Sequence, residues 1–425
     1  MGTAFMMPLH SMSRRVWMVL LLSCCLLFPG TWLRGQETSA AALVADSALD
    51  RWAKEAPITQ IPWKVRVISA GLSLHQRLVA HLEMEIKGRE LVKRAKDGRL
   101  IALVRVTDAA GHRYRDFGVI DMKEIKPEMR KRTWVSMWDA FVLPGEYKVA
   151  IALYDKASGE HDFQQSTLHV SGLKNDPLPE VWQGLPAWEF WAPITDERDA
   201  IFHSDIEDRL HLPLRTQRPI QLEILADLTP SDLFHGSTRF YTRYLSVMVP
   251  LMKALSQITP GEGSVRVDTL DLRQQKVTFE QENPRQLDWA RLKEVMAPVN
   301  GPGMINVKGL EQKHETPDFL RDELLRRLRA VRQASSAQPP LHVFVVLGSP
   351  MDFYAFHHFP PIDPEQAENC VVYYLQFETY AGYADGALSK VRSMLKPLPI
   401  HTIKVRSAES VRHALARILE EVPRT

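Results

Sequence analysis

The run Leu341 to Leu347 reads as apolar throughout, and no other feature of this chain restricts the fold as much. A strand with such side chains on both faces must have both faces buried, which requires helices above and below a sheet. The flanking sequence supplies them. Ile220 to Ala226 is another β run, and after it Phe240, Tyr244, Val247, Leu251 and Leu255 recur at helical spacing. Val265 to Leu270 turns into Lys276 to Glu280, a helix is expected over Leu287 to Met296, and Asn300 to Gly303 forms a Gly-Pro loop. From Pro317 a further helix places Leu320, Leu324, Leu328 and Val331 on one face. Val371 to Phe377, a helix near Ala384 to Leu395, His401 to Val405 and the amphipathic Ala408 to Leu419 complete the series. Strands alternating with helices imply a doubly wound, mainly parallel α/β sheet over residues 219–425.

The first half is patterned differently. Trp63 to Ile68, Leu78 to Ile86, Leu100 to Thr107, Trp134 to Val142, Tyr147 to Tyr154 and Gln165 to Val170 are short β runs. Asp97-Gly98, Asp108-Ala109-Ala110-Gly111, Pro144-Gly145 and Ser158-Gly159 provide the reversals between them. This predicts an antiparallel β-sandwich of immunoglobulin-like type over 63–170. Leu143 to Val149 followed by Leu153-Tyr154-Asp155 also looks like the late hairpin of exported bacterial sandwich modules. Residues 171–218 read as a linker, with Pro177, Pro179, Pro186 and Pro193 among Trp182, Trp188 and Trp191. The three indoles are expected to pack against a domain, since so much apolar surface is rarely left in water; a carbohydrate platform is the alternative.

Before these domains, Arg14 and Arg15 precede the apolar run Val16 to Phe28, and no acidic residue occurs before Glu37. That is the grammar of an export signal over 1–35, with small-residue cleavage sites at Gly35 and Ala40 to Ala42. Extended to Leu33, the run approaches the roughly 20 residues of a spanning helix, so a retained anchor is the alternative. Leu21-Leu22-Ser23-Cys24 faintly resembles a lipoprotein box, although apolar Leu26 to Phe28 follow where polar sequence is usual. Membrane association therefore depends on retention of the segment or lipidation of Cys24. Residues 36–62 read as a tether, with a short helix around Ala41 to Ala53. Of the 3 cysteines, Cys24 and Cys25 lie in the apolar run, leaving Cys370 as a buried thiol with no partner for an internal disulfide. Lys+Arg is 53 against Asp+Glu 51, which gives no nucleic-acid footprint. The expected location is the periplasm or outside the cell.

With the strand order set out, residues 219–425 resemble a von Willebrand factor type A domain. Ile220 to Ser231 resembles that family's first strand with its Asp-x-Ser-x-Ser loop, and Val265 to Glu280 resembles its next hairpin. The resemblance implies a divalent cation, usually magnesium, held by oxygen ligands and completed by a partner's carboxylate. Asp227, Thr229 and Ser231 match the first loop, with Thr for the first Ser, and Thr316 matches the second-loop threonine. The third loop departs: Leu347-Gly348-Ser349-Pro350 stands where the family has Asp, so Ser349 offers oxygen without charge, and Asp352 is reached only if the loop bends back. Capping explains the same residues without a metal, because Thr229-Pro230 and Thr316-Pro317 each set a hydroxyl before a helix-starting Pro.

Other constellations fit known chemistry poorly. His357-His358 with Asp352 and Asp363 lacks metal-ligand spacing beside Pro360-Pro361. Gly348-Ser349-Pro350 is no nucleophile elbow, and Gly261-Glu262-Gly263 lacks the Lys-Ser/Thr of a phosphate loop. Lys93-Arg94, Arg130-Lys131-Arg132 and Arg326-Arg327 read as solvated charge. The expected function is a non-enzymatic, exported binding or assembly protein acting on another protein. The rivals are an envelope hydrolase at the same sheet edge, where open α/β folds bind ligands, and a carbohydrate-binding module.

Overall fold

The structure is a computed structural model that describes residues 46–55, 62–94, 98–191, 209–229, 238–272, 274–284, 286–296, 316–334, 339–348, 362–377 and 384–424. Residues 1–35, expected to be an export signal, lie outside them. The chain divides into two compact units, one of Met1–Arg66, Met84–Ser136 and Tyr147–Leu168, the other of Val67–Glu83, Met137–Glu146 and His169–Thr425. Among the described residues no helix is long and apolar enough to cross a membrane.

The first half is built of β1 (Trp63–Leu72), β2 (Leu78–Lys87), β3 (Arg99–Thr107), β4 (Arg113–Asp121), β5 (Thr133–Val142), β6 (Gly145–Asp155) and β7 (His161–Val170). With β8 (Trp188–Phe190) they form two four-stranded sheets, ordered β1-β2-β5-β8 and β4-β3-β6-β7. The antiparallel, sandwich-type half expected from the sequence is present. Six of these strands were legible as alternating apolar runs. β4 was not, because Ile120 is its one buried side chain and charges interrupt the remainder. β8 arises inside the expected linker and pairs with β5, Trp188 opposite Val142.

In the first unit a short helix, α1 (residues 46–52), lies on the second sheet. Its Leu49 and Trp52 are buried with Ala152, beside Leu103, Tyr154 and Phe163. Its acidic side chains meet arginines of β3 and β4: Arg105 bonds Asp50 at 2.7 Å, and Arg115 bonds Asp46. In the same unit α2 (Gly88–Lys93) follows β2 directly.

The second half is a six-stranded sheet of β10 (Ile220–Asp227), β12 (Gly263–Asp271), β13 (Lys276–Glu282), β14 (Leu341–Gly348), β15 (Cys370–Phe377) and β16 (Ile400–Val405). A small parallel pair, β9 (Leu212–Leu214) and β11 (Ile258–Pro260), stands apart from it. The main order is β13-β12-β10-β14-β15-β16, parallel except for β13, which runs antiparallel to β12. The first strand, β10, therefore lies inside the sheet: the chain winds outward to β13, then crosses to β14 and winds outward the other way. The expected doubly wound, mainly parallel sheet is present.

The helices are α3 (Thr238–Ser256), α4 (Trp289–Met296), α5 (Thr316–Ala334), α6 (Ala384–Met394) and α7 (Ala408–Glu421). Alternation along the strands splits the core in two. One face joins Leu225, Leu270, Phe344, Val346, Val372 and Tyr374 to Leu320, Leu324 and Leu328 of α5 and Val391 and Met394 of α6. The other buries Leu222, Ile224, Val267, Val345 and Tyr373, with α3 packed on β10 and β12 and α7 on β16. Every residue of β14 is buried, as its composition demanded, yet His342 breaks its apolar run.

Candidate functional site

The carboxyl ends of β10 and β14 mark where the winding of the sheet reverses, the position at which open α/β sheets leave a crevice. Asp227 is the last residue of β10 and is 3% exposed. Its Oδ1 accepts from the Thr229 amide at 3.0 Å and from the Thr229 hydroxyl at 2.5 Å, closing an Asx turn. The Thr229 hydroxyl accepts in turn from the Leu272 amide at 2.7 Å, which ties the loop to the end of β12. Tyr244 of α3 donates to the Asp227 carbonyl at 2.5 Å, anchoring the same turn from the helix side. Next to it, β14 ends at Gly348, where an added Cβ would lie 3.3 Å from the Tyr374 hydroxyl and 3.6 Å from Asp227 Cβ.

Of the residues proposed to bind a metal, the structure brings Asp227 and Thr229 together. Ser231 and Ser349 lie outside the described residues, as do Asp352, His357 and His358. Thr316 opens α5, and its side chain also lies outside them. Asp363 accepts from the Glu365 amide at 3.1 Å and caps a 3-10 turn. Carboxylate and hydroxyl oxygens, the groups that these residues carry, are the donor type that magnesium takes. Among the described residues no group of three or more His, Cys, Asp or Glu is placed to hold a metal ion.

Two polar features escaped the sequence reading. Gln376 of β15 is fully buried, pairs in register with Gly348, and has no hydrogen-bond partner among the described residues for either amide atom. The signal was a polar residue one place before the end of an apolar strand. The second feature lies lower on the same face. Arg327 of α5, 4% exposed, donates at 2.6 Å to Glu223 of β10 and at 2.7 Å to Glu323, and also bonds Asp268 of β12. His342 Nε2 lies 2.8 Å from Glu223, and Arg266 Nε donates to Asp268 at 3.0 Å. Burial pushes the Glu223 carboxyl up, but the His342 hydrogen bond and the Arg327 charge outweigh it and hold the group below the usual range. At Asp268, which is completely buried, burial prevails over Arg327 and Arg266 and the carboxyl is raised. Such a cluster adds little net stability, but removing one member would cost about 3–5 kcal/mol. It belongs to the fold.

A further buried charge is Lys253 of α3, whose amine is pushed down to about 8 by burial, with Glu189 opposing and Arg77 adding to the shift. The tryptophans are packed. Trp182 donates to the Gln76 carbonyl at 2.7 Å and stacks under Arg412, whose guanidinium carbon is 4.7 Å from the ring centroid. Trp188 is 1% exposed, and Trp191 lies 5.2 Å from the Phe141 ring. Arg412 of α7 makes a two-pronged bond to Asp176, at 2.9 and 2.6 Å, and reaches the Leu178 carbonyl at 3.0 Å. Cys370 is buried and donates to the Ala367 carbonyl.

No protein-family model matches this chain, and no curated protein matches it. Among solved structures it is similar to the PilB minor pilin from Streptococcus sanguinis, at 11% identity over 79% of this chain and 95% of that one, with a TM-score of 0.25. A family 123 glycoside hydrolase from Clostridium perfringens matches at 7% identity over 81% of this chain and 72% of that one, TM-score 0.25. The ArnB paralog VWA2 from Sulfolobus acidocaldarius matches at 8% identity over 64% of this chain and 50% of its own, TM-score 0.24.

Proposed function

We propose that this chain is a non-enzymatic, exported binding or assembly protein whose α/β half grips another protein through the loops at the carboxyl ends of its sheet. The observation that carries the reading is the Asp227 turn. A buried carboxylate closes the inner strand β10, is clasped by Thr229, and is braced from β12 and α3 at the point where the winding reverses. A turn held from three elements is ordered before any partner arrives, and a preordered contact loses less entropy on binding. Asp227, Thr229, Ser231, Thr316 and Ser349 are the residues that would surround a magnesium ion there. The bound ion would supply an open coordination position for a carboxylate of the partner.

The test is calorimetric titration of magnesium, then manganese, into the chain lacking residues 1–35, with Asp227→Asn as the control. Asparagine keeps an oxygen to accept from Thr229 and removes only the charge, so the variant retains its turn. Saturable binding that disappears in Asp227→Asn supports the metal-assisted form of the reading. Binding absent in both limits the proposal to a metal-independent surface. Capture of one protein from envelope extracts, unaffected by loop substitutions at this edge, would sink the reading altogether.

A further inference from the structure

β4 ends its sheet, with β3 as its one neighbour among the described strands. Edge strands expose a row of backbone donors and acceptors, and proteins usually blunt them with charged side chains, lysine above all, with proline or with a bulge. β4 contains no lysine or proline, its charges are two arginines and two aspartates of opposite sign, and its nine-residue register with β3 is unbroken from Arg113 to Asp121. It also carries two of the most exposed large apolar side chains described, Phe117 at 64% and Val119 at 47%. They lie opposite Leu103 and Ile101 of β3, on the face where α1 binds. The ion pairs from α1 reach Arg113 and Arg115, at the other end of the strand.

The strand also reports which of its amides point outward. The Phe117 amide donates to the neighbouring Asp116 side chain at 2.8 Å rather than to β3. Amides alternate along a strand, so the odd-numbered residues from 113 to 121 turn their backbone groups to the open edge. Once each Asp116 carboxylate releases the Phe117 amide, an antiparallel copy of β4 centred on Phe117 would place 117 against 117, 115 against 119 and 113 against 121 as hydrogen-bonded pairs. In that register Arg113 of each copy faces Asp121 of the other, and the two Phe117 rings meet on the dyad. The strand is complementary to itself in both charge and apolar character.

We propose that β4 is a self-pairing edge through which two copies of this chain join into a twofold dimer with a continuous eight-stranded sheet. An isologous contact of this kind closes on itself, so two paired β4 strands leave neither of these edges open to a third copy.

The experiment is sedimentation velocity on the protein over a wide range of concentration. A monomer–dimer equilibrium is expected for the unaltered chain. Phe117→Lys, which sets two ammonium groups against each other on the dyad, should abolish the dimer without changing thermal stability, because this side chain is mostly exposed. Arg113→Asp alone should weaken association, and combining it with Asp121→Arg should restore it. Under mild oxidation Phe117→Cys should cross-link to itself, since paired Cα atoms about 5.5 Å apart suit a disulfide, whereas Arg113→Cys should not. A monomer at every concentration overturns the proposal. So does a dimer that survives Phe117→Lys, because it must use another surface.

Discussion

At the scale of single residues, chemistry-bearing groups were legible where a motif concentrated them and invisible where the fold did. Asp227 and Thr229 stood out because they are close in sequence, and the structure joins them through one carboxylate oxygen. Glu223, Asp268, Arg327 and His342 are far apart in the chain and looked like ordinary surface charge or, for His342, part of an apolar run; only the register of three strands and one helix assembles them. Lys253 was hidden likewise, on the buried side of a helix read only for its apolar spacing. Its pH dependence can be stated. Burial lowers the amine to about 8 in the folded protein, while the unfolded chain keeps an ordinary lysine. Below that value both states hold the proton and the fold bears the full cost. Between about pH 8 and the ordinary lysine range of about 10.4 the fold sheds the proton first, so stability rises with pH. Lys253→Met should therefore stabilise the protein at pH 7 by on the order of 3 kcal/mol, an advantage that fades by about pH 10. Urea unfolding of both proteins at the two pH values checks this, and an equal difference at both would refute it.

At the scale of elements, the strands and helices of the α/β half appear where periodicity predicted them, because long helices and doubly buried strands leave strong patterns. The exceptions have physical reasons. β4 is an edge with one buried side chain, and β8 is three residues long; neither has enough apolar content to register in a sequence window. Turn chemistry was read more successfully than its consequences. Gly263, discounted as part of a phosphate loop, begins β12 with φ at +129° and touches β10: an added Cβ would stand 1.8 Å from the Ile220 carbonyl oxygen. No rotation of a side chain can relieve a clash with backbone. Gly263→Ala should cost at least about 3 kcal/mol, combining overpacking with strain at positive φ. A urea midpoint within error of the original would show that the two strands part more easily than their pairing indicates.

At the scale of the whole molecule, the α/β sheet expected over residues 219–425 shares its compact unit with earlier parts of the chain. Its compact unit also contains residues 67–83, 137–146 and 169–218, and the contacts are specific. Arg412 on α7 is 1% exposed and held by Asp176, with further bonds to the carbonyls of Gln76 and Leu178. A fragment beginning at residue 219 leaves that guanidinium without its carboxylate, whereas one beginning at 169 keeps the pair. The shorter fragment should be less stable by about 3–5 kcal/mol or fail to fold, and comparison of the two by circular dichroism and urea titration decides the point.

The buried ion cluster has one more consequence, which concerns error. Strands as apolar as β10 and β14 can slide past one another with little loss of hydrophobic burial. Alternation of side chains guards only against slips of an odd number of residues, which turn a strand inside out. A slip of two restores every side chain to its proper face and passes that check. Such a slip in β12 would replace Asp268 beside Arg327 with Arg266 or Leu270, setting a cation or an apolar chain against a buried guanidinium. The hydrophobic pattern thus verifies the parity of the register, and the charges verify its value.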